Sequence, residues 1–344
     1  MTPESRPTVA NATATESKLN GRAKSAVNLT FNPILADLDQ ADRVFSSTLA
    51  SYKTPIGSLV EHLSHYHGKR LRPALVLLTA KAAGKVSPAH HTLAAVVEMI
   101  HTATLVHDDV LDDADTRRHV RTVNADWGNK TAILFGDLLF THAFHLSSTI
   151  DARACSLIGD ATNRVCAGEL KQLCERGNMY LSEGDYFAIL DGKTAALTEV
   201  SCRLGALYAG SSDEVAEHMA AYGRNLGLAF QIGDDLLDLV GTEAKAGKTL
   251  GTDLAQLKLT LPLIHCLGKL APPQADQLRG RLKEGGATVA EVLTILESTG
   301  SLNYARCRAD EFARNARSAL SCLPAGECRT ILEHLAEWST RREK

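Results

Sequence analysis

Two aspartate clusters are embedded in apolar helical runs far apart in the chain: LVHDDVLDD, with Asp108, Asp109 and Asp112, and FQIGDDLLDL, with Asp234, Asp235 and Asp238. Each reads DDxxD. At ~3.6 residues per turn, Asp108 and Asp112 share one helix face, as do Asp234 and Asp238, so each helix presents a row of carboxylates. An uncompensated charge is costly to bury, so carboxylates set among Leu, Val, Ile and Phe need cations. Two facing rows suit Mg²⁺ carrying a polyphosphate. Such a chain must fold as long helices packed around a charged cavity.

From Phe31 onward the periodicity is helical, and no stretch alternates like a strand for long. The expected helices cover 34–52, 72–84, 90–113, 129–150, 152–175, 184–209, 213–240, 259–270, 288–299, 302–321 and 326–341. Gly and Pro mark the breaks: GKRLRP before the second helix, Gly177 and Gly184 mid-chain, Pro272 and Pro273 after the eighth. Of 344 residues, 44% are hydrophobic, enough for one large core or two modest domains, and no linker divides 28–344. The expected fold class is therefore all-α, a single large helical bundle with a central cavity. Residues 1–27, rich in Ala, Thr and Ser, are expected to form a disordered tail. A transit peptide would be Arg-rich and amphipathic, whereas two arginines and two glutamates stand in this stretch.

Several function classes fall away. No uninterrupted apolar run reaches the roughly 20 residues that cross a bilayer, because Glu98, His101 and His107 interrupt even the richest segment. Net charge is −3 with no long Lys/Arg block, so no nucleic-acid surface is indicated. Eight cysteines are scattered without a CxxC pair, zinc-finger spacing or a secretory signal. They read as thiols in a reducing compartment, which points to the cytoplasm.

The basic residues come next. Gly68, Lys69, Arg70, Arg72 and Pro73 form a turn entering a helix, where backbone and cations can meet an anion, although a plain helix cap is the alternative. Arg117 and Arg118 follow Asp112 within reach of phosphate oxygens. GKTAAL offers Lys193 and Thr194, and GKTLGTDLAQLKLTLP offers Lys248 and Lys258; any one lysine is more often a surface residue. Neither GKT is a nucleotide phosphate loop, since Phe187 and Thr242 stand where GxxxxGK requires its first glycine. DDVLDDAD likewise lacks the glycine of a calcium loop at its sixth position.

Taken in order, GKRLRP, EMIHTATLVHDDVLDDADTRR, GNKTAILFGDLL, GKTAAL, FQIGDDLLDL and GKTLGTDLAQLKLTLPLI resemble the trans-isoprenyl diphosphate synthases, or polyprenyl synthetases, over most of residues 34–270. The resemblance implies that Asp108 and Asp112 bind two Mg²⁺ ions and Asp234 a third, with Asp109, Asp235 and Asp238 as further partners. It assigns Lys69, Arg72, His101 and Arg118 to isopentenyl diphosphate. Arg117, Lys193, Lys248 and Lys258 fall to the diphosphate of an allylic substrate, with Thr194 and Gln231 near the reacting carbons. A homodimer and a transient membrane contact at product release are also implied. His101 lies seven residues before Asp108 and so on the same helix face, which agrees independently.

Within that family the segment IHTATLVHDD resembles the long-chain members, whose products become quinone side chains. Ala103 and Thr104, one turn before Asp108, are small where a cap on the product cavity would stand, so the path reads as open; medium-length products such as geranylgeranyl diphosphate stay open beside it. Three residues depart from the family pattern: His67, His119 and Leu257 each replace a glycine. Leu257 matters most, because it is expected to shift Lys258. A class I terpene cyclase would not need Lys69 and Arg72, and a silent partner subunit would tolerate loss of Asp108 or Asp234.

Overall fold

Why the chain bundles is clearest in its longest helices. In the computed structural model, which describes residues 31–63, 68–117, 120–241 and 251–340, a 3-10 turn at Asn32–Ile34 leads into α1 (Leu35–Leu49), α2 (Ile56–Leu63), α3 (Leu71–Ala83) and α4 (Pro88–Leu111). A two-residue antiparallel ladder, β1 (Thr116–Arg117) on β2 (Val120–Arg121), precedes α5 (Val123–Trp127), α6 (Asn129–Ser148), α7 (Ala152–Cys174) and α8 (Glu183–Leu190). A π-helical turn, Asp191–Ala195, joins α8 to α9 (Ala196–Tyr208), followed by α10 (Asp213–Val240) and α11 (Thr252–Ala255). The chain closes with α12 (Leu261–Lys269), α13 (Pro272–Lys283), α14 (Val289–Ser298), α15 (Ser301–Ala319) and α16 (Glu327–Thr340).

Helix starts follow local chemistry: Asp151, Ser182, Ser212 and Thr288 each accept a hydrogen bond from a backbone N–H of the first turn. The all-α expectation holds, and its boundaries are corrected in detail. Pro272 and Pro273 open α13 rather than leaving a gap, since proline fits the first helical positions, whose N–H groups lack partners anyway. The short α2 and α5 escape periodicity arguments because eight and five residues show too few turns. The helix expected from 184 to 209 is interrupted by the π turn, and α4 stops at Leu111 because Asp113 takes a left-handed conformation, φ 49°. The expected tail, 1–27, lies outside the described residues.

Among the described residues, three apolar clusters organise the packing. The largest joins α1, α3, α4, α7, α9, α16 and the first half of α10. A second joins α8, the end of α10 and α12 to α15, and a third joins the end of α1, α2, the end of α4, α5 and α6. The two longest described helices, α4 with 24 residues and α10 with 28, both begin in the large cluster and leave it toward different smaller ones. Each therefore carries its aspartates at the end that emerges from the shared core.

Between them lies the π turn, pressed onto α7 by two glycines. Gly168 of α7 meets the backbone at Gly192 and Lys193 so closely that a β-carbon there would collide with it, and one on Gly192 would lie 2.6 Å from the carbonyl oxygen of Arg164. Helix propensity alone predicts that Gly192→Ala stabilises the protein by about 1 kcal/mol. The contact predicts the reverse, a loss of about 1–3 kcal/mol as backbones are forced apart, readable as a lowered denaturation midpoint.

Candidate active site

The first row is set at the end of α4. Asp109 is almost wholly buried and accepts a hydrogen bond from Arg117 Nε at 2.7 Å. Asp112 caps the helix, and its Oδ1 receives Arg176 at 3.1 Å and Lys258 Nζ at 3.4 Å. Asp108 faces Lys193 of the π turn: burial first, opposed by Lys193 and reinforced by Glu169 and Asp112, pushes its carboxyl up to about 6. Lys193 in turn forms an ion pair with Glu169 at 2.7 Å. Burial draws the Lys193 ammonium down, but Asp108 and Glu169 outweigh it and hold it above its ordinary range.

The second row is tied in through amides and hydroxyls. Thr194 Oγ1 donates to Gln231 Oε1 at 2.9 Å, Gln231 Nε2 donates to Asp235 Oδ1 at 2.9 Å, and Tyr186 OH donates to Asp235 Oδ2 at 2.7 Å. Burial, then the nearby Asp253 carboxylate, pushes Asp235 up to about 8. Asp238 is fully buried and serves as a structural anchor. It accepts from Thr252 Oγ1 at 2.8 Å and from the Asp253 backbone N–H at 3.0 Å, pinning the segment that carries Lys258. Asp234 remains partly exposed one residue before Asp235.

The expected site residues thus separate into groups. Asp108, Asp112, Lys193 and Lys258 converge, and Thr194, Gln231 and Asp235 form a connected chain beside them. Arg117 is engaged by Asp109. Lys69 lies over the ring of Trp338, 4.4 Å from its centroid, while Arg72 opens α3 and His101 lies partly exposed on α4. Ala103 and Thr104 differ in burial: Thr104 is partly exposed, whereas Ala103 is wholly buried in the third cluster, which also holds Leu49, Leu59, Phe135 and Leu139. Arg118, Lys248, His67 and His119 lie outside the described residues. At Leu257 the structure keeps the left-handed backbone expected of a glycine, φ 55°, so that Lys258 still reaches Asp112. The departure is taken up as local backbone strain.

Four participants escaped sequence reasoning. Glu169 and Arg176 of the α7 end bracket the first row, Tyr186 bonds Asp235, and Thr252 fixes Asp238. Glu169, Gln172 and Arg176 are spaced by three and four residues, a polar stripe that could have signalled a shared face. Tyr186 gave no such signal.

Comparison with known proteins now decides the family. The polyprenyl synthetase family model matches residues 53–299. The chain belongs to the polyprenyl synthetase family. It is 38% identical over 309 residues to an octaprenyl diphosphate synthase of Haemophilus influenzae, covering 89% of this chain and 94% of that one. A crystal structure of a decaprenyl diphosphate synthase from Rhodobacter capsulatus superposes with a TM-score of 0.86 at 32% identity, over 92% of this chain and 99% of the other. A polyprenyl synthase from Caulobacter crescentus CB15, complexed with calcium and isoprenyl diphosphate, gives 0.85 at 34% identity over 92% and 98%. The fold is the all-α isoprenoid synthase fold.

A divalent cation fits the donors present in this family member. Asp108, Asp112 and Asp234 are partly exposed hard oxygen donors, and no cage of three or more His, Cys, Asp or Glu forms among the described residues. Mg²⁺ takes one or two carboxylates and completes its shell with water and substrate phosphate. The raised carboxyl at Asp108 gives a test of this electrostatic strain. A folded-state pKa above the unfolded value means that stability is lost as pH rises from about 4 to about 6. Asp108→Asn should therefore stabilise the metal-free protein above pH 6, with the gain vanishing near pH 4 in denaturation curves. A pH-independent effect would contradict the desolvation account.

Proposed function

We propose that this polyprenyl synthetase is a Mg²⁺-dependent, long-chain, all-trans polyprenyl diphosphate synthase that condenses isopentenyl diphosphate with an allylic diphosphate, its product serving as a quinone side chain. The observation that carries this reading is the convergence of the first aspartate row with Lys193 and Lys258, cations brought from two other parts of the chain. Asp108 and Asp112 would hold two ions and Asp234 the third. When bound, the ions neutralise the charge that develops on the departing diphosphate and so lower the barrier to C–O cleavage.

The chain's own residues supply the rest. Lys193, Lys258, Arg117 and Lys248 grip the allylic diphosphate, while Lys69, Arg72, His101 and Arg118 hold isopentenyl diphosphate. Thr194 and Gln231, already bonded to each other, border the reacting carbons. The apolar flanks of α4 and α10 exclude water that would quench the allylic carbocation. The double bond of isopentenyl diphosphate attacks that cation, and the proton then lost goes to the departing diphosphate. No side-chain nucleophile takes part.

Residues 28–344 act as one domain in this reading, with α4 and α10 each linking two apolar clusters. A homodimer accounts for the exposed apolar side chains of α6 and α7, Ile133 and Leu134 in the first turns of one and Leu170 and Leu173 in the last turns of the other. Among the described residues no helix is long and apolar enough to cross a membrane. The proposed location is the cytoplasm, in keeping with eight cysteines that all stay free thiols, with contact to a membrane at product release.

The test is direct: purified protein is incubated with Mg²⁺, isopentenyl diphosphate and each allylic primer, and the products are sized. Long-chain products are expected, and none without Mg²⁺. Thr104→Phe should shorten the longest product by several five-carbon units, because a packed interior yields little space, whereas Ala103→Tyr should chiefly lower stability. A wild-type product no longer than geranylgeranyl diphosphate would overturn the long-chain assignment.

A further inference from the structure

Lys69 is an exposed side chain on the segment entering α3, and a lysine so placed ordinarily samples many rotamers. Here its ammonium stands 4.4 Å from the centroid of the Trp338 ring, within the range of a cation–π contact. Trp338 is itself placed from two sides. Its ring meets Phe230 at 6.2 Å between centroids, one turn before Asp234 on α10. The next residue, Ser339, packs its carbonyl against Gly233, where an added β-carbon would lie only 2.7 Å away. The end of α16 is therefore seated against α10 immediately beside the second aspartate row, and it carries the ring that confines Lys69.

We propose that Trp338 is a positioning residue for isopentenyl diphosphate, presenting Lys69 to its diphosphate at a fixed distance from the Asp234 row. The proposal rests on the prenyltransferase reading above and deepens it. The ring face attracts the ammonium in the absence of ligand and packs along the lysine stem once the head group turns to phosphate. Because the same α16 end is docked on α10, the spacing between the two diphosphates is set by the C-terminal helix rather than by the α3 entry turn alone. Only the substrate that meets Lys69 should feel the loss of the ring.

Steady-state kinetics with each substrate varied separately tests this. Trp338→Ala should raise KM for isopentenyl diphosphate about tenfold, equivalent to ~1.4 kcal/mol, while KM for the allylic primer and kcat stay within about twofold. Trp338→Phe, which keeps a ring face, should recover most of the loss, and Lys69→Ala combined with Trp338→Ala should be no worse than Lys69→Ala alone. Equal rises in both KM values, or an additive double variant, would overturn the proposal. Should Trp338→Ala fail to fold, a second measurement needs neither that variant nor turnover. Trp127 and Trp338 are the two tryptophans of the chain, so Trp127→Phe leaves Trp338 as sole emitter. Titration with isopentenyl diphosphate should change its emission in a saturable way, and Lys69→Ala should abolish the change; unaltered emission at saturating concentration overturns the proposal. A wild-type enzyme that makes no prenyl product strikes the assigned function instead, and the fluorescence titration tells the two failures apart.

Discussion

Like charges gathered at the wrong ends of two helices are what the rest of this structure answers to. Asp108, Asp109 and Asp112 close α4, and Asp234, Asp235 and Asp238 fall in the last two turns of α10, where the helix dipole already disfavours negative charge. Burial adds a desolvation cost, visible in the raised carboxyls of Asp108 and Asp235. The chain meets this cost with borrowed cations: Arg117 for Asp109, Arg176 and Lys258 for Asp112, and Lys193 facing Asp108. Several of these cations are the ones proposed to grip a diphosphate. On the proposed function, substrate and metal would exchange one set of ion pairs for another.

Precision in that arrangement comes from backbone contacts more than from the charges. Lys193 is brought to face Asp108 because the α8–α9 connection bulges into a π turn and because Gly168 and Gly192 let that turn lie directly on α7. Behind it, Arg164 bonds Asp191 at 3.0 Å and Glu199 at 2.9 Å, and Arg224 bonds Asp191 from α10. The turn is thus held from both sides. Lys258 depends on a similar device, since Asp238 ties down the 251–258 segment and Leu257 accepts a left-handed conformation to aim the next side chain.

Much of this was legible in the sequence, and the reasons are local. Apolar periodicity located α4, α10 and most other helices, and the two DDxxD patterns marked where charge would meet the core. The ordered motifs then carried the family. Less visible was anything that depends on which helices become neighbours. Asp238 reads like Asp234 in sequence, yet it is buried as a loop anchor because α11 folds back onto α10. Ala103 and Thr104 are adjacent in sequence, yet Ala103 is buried in the third cluster while Thr104 stays partly exposed, a distinction set by how α6 packs against α4. Glu169 pairs with Lys193 only because a glycine contact brings α7 against the π turn. Pro272 and Pro273 read as a break when they are a helix start.

On the proposed function the two carboxylate rows take up metal and diphosphate together, each relieving the charge of the other. Thermal unfolding of the purified protein with Mg²⁺ alone, inorganic diphosphate alone, and both together tests it most directly, since any ligand of the native state raises the midpoint according to its affinity. The account predicts small effects from either component and a rise with both that clearly exceeds their sum. Equal stabilisation by diphosphate with and without Mg²⁺ would contradict it.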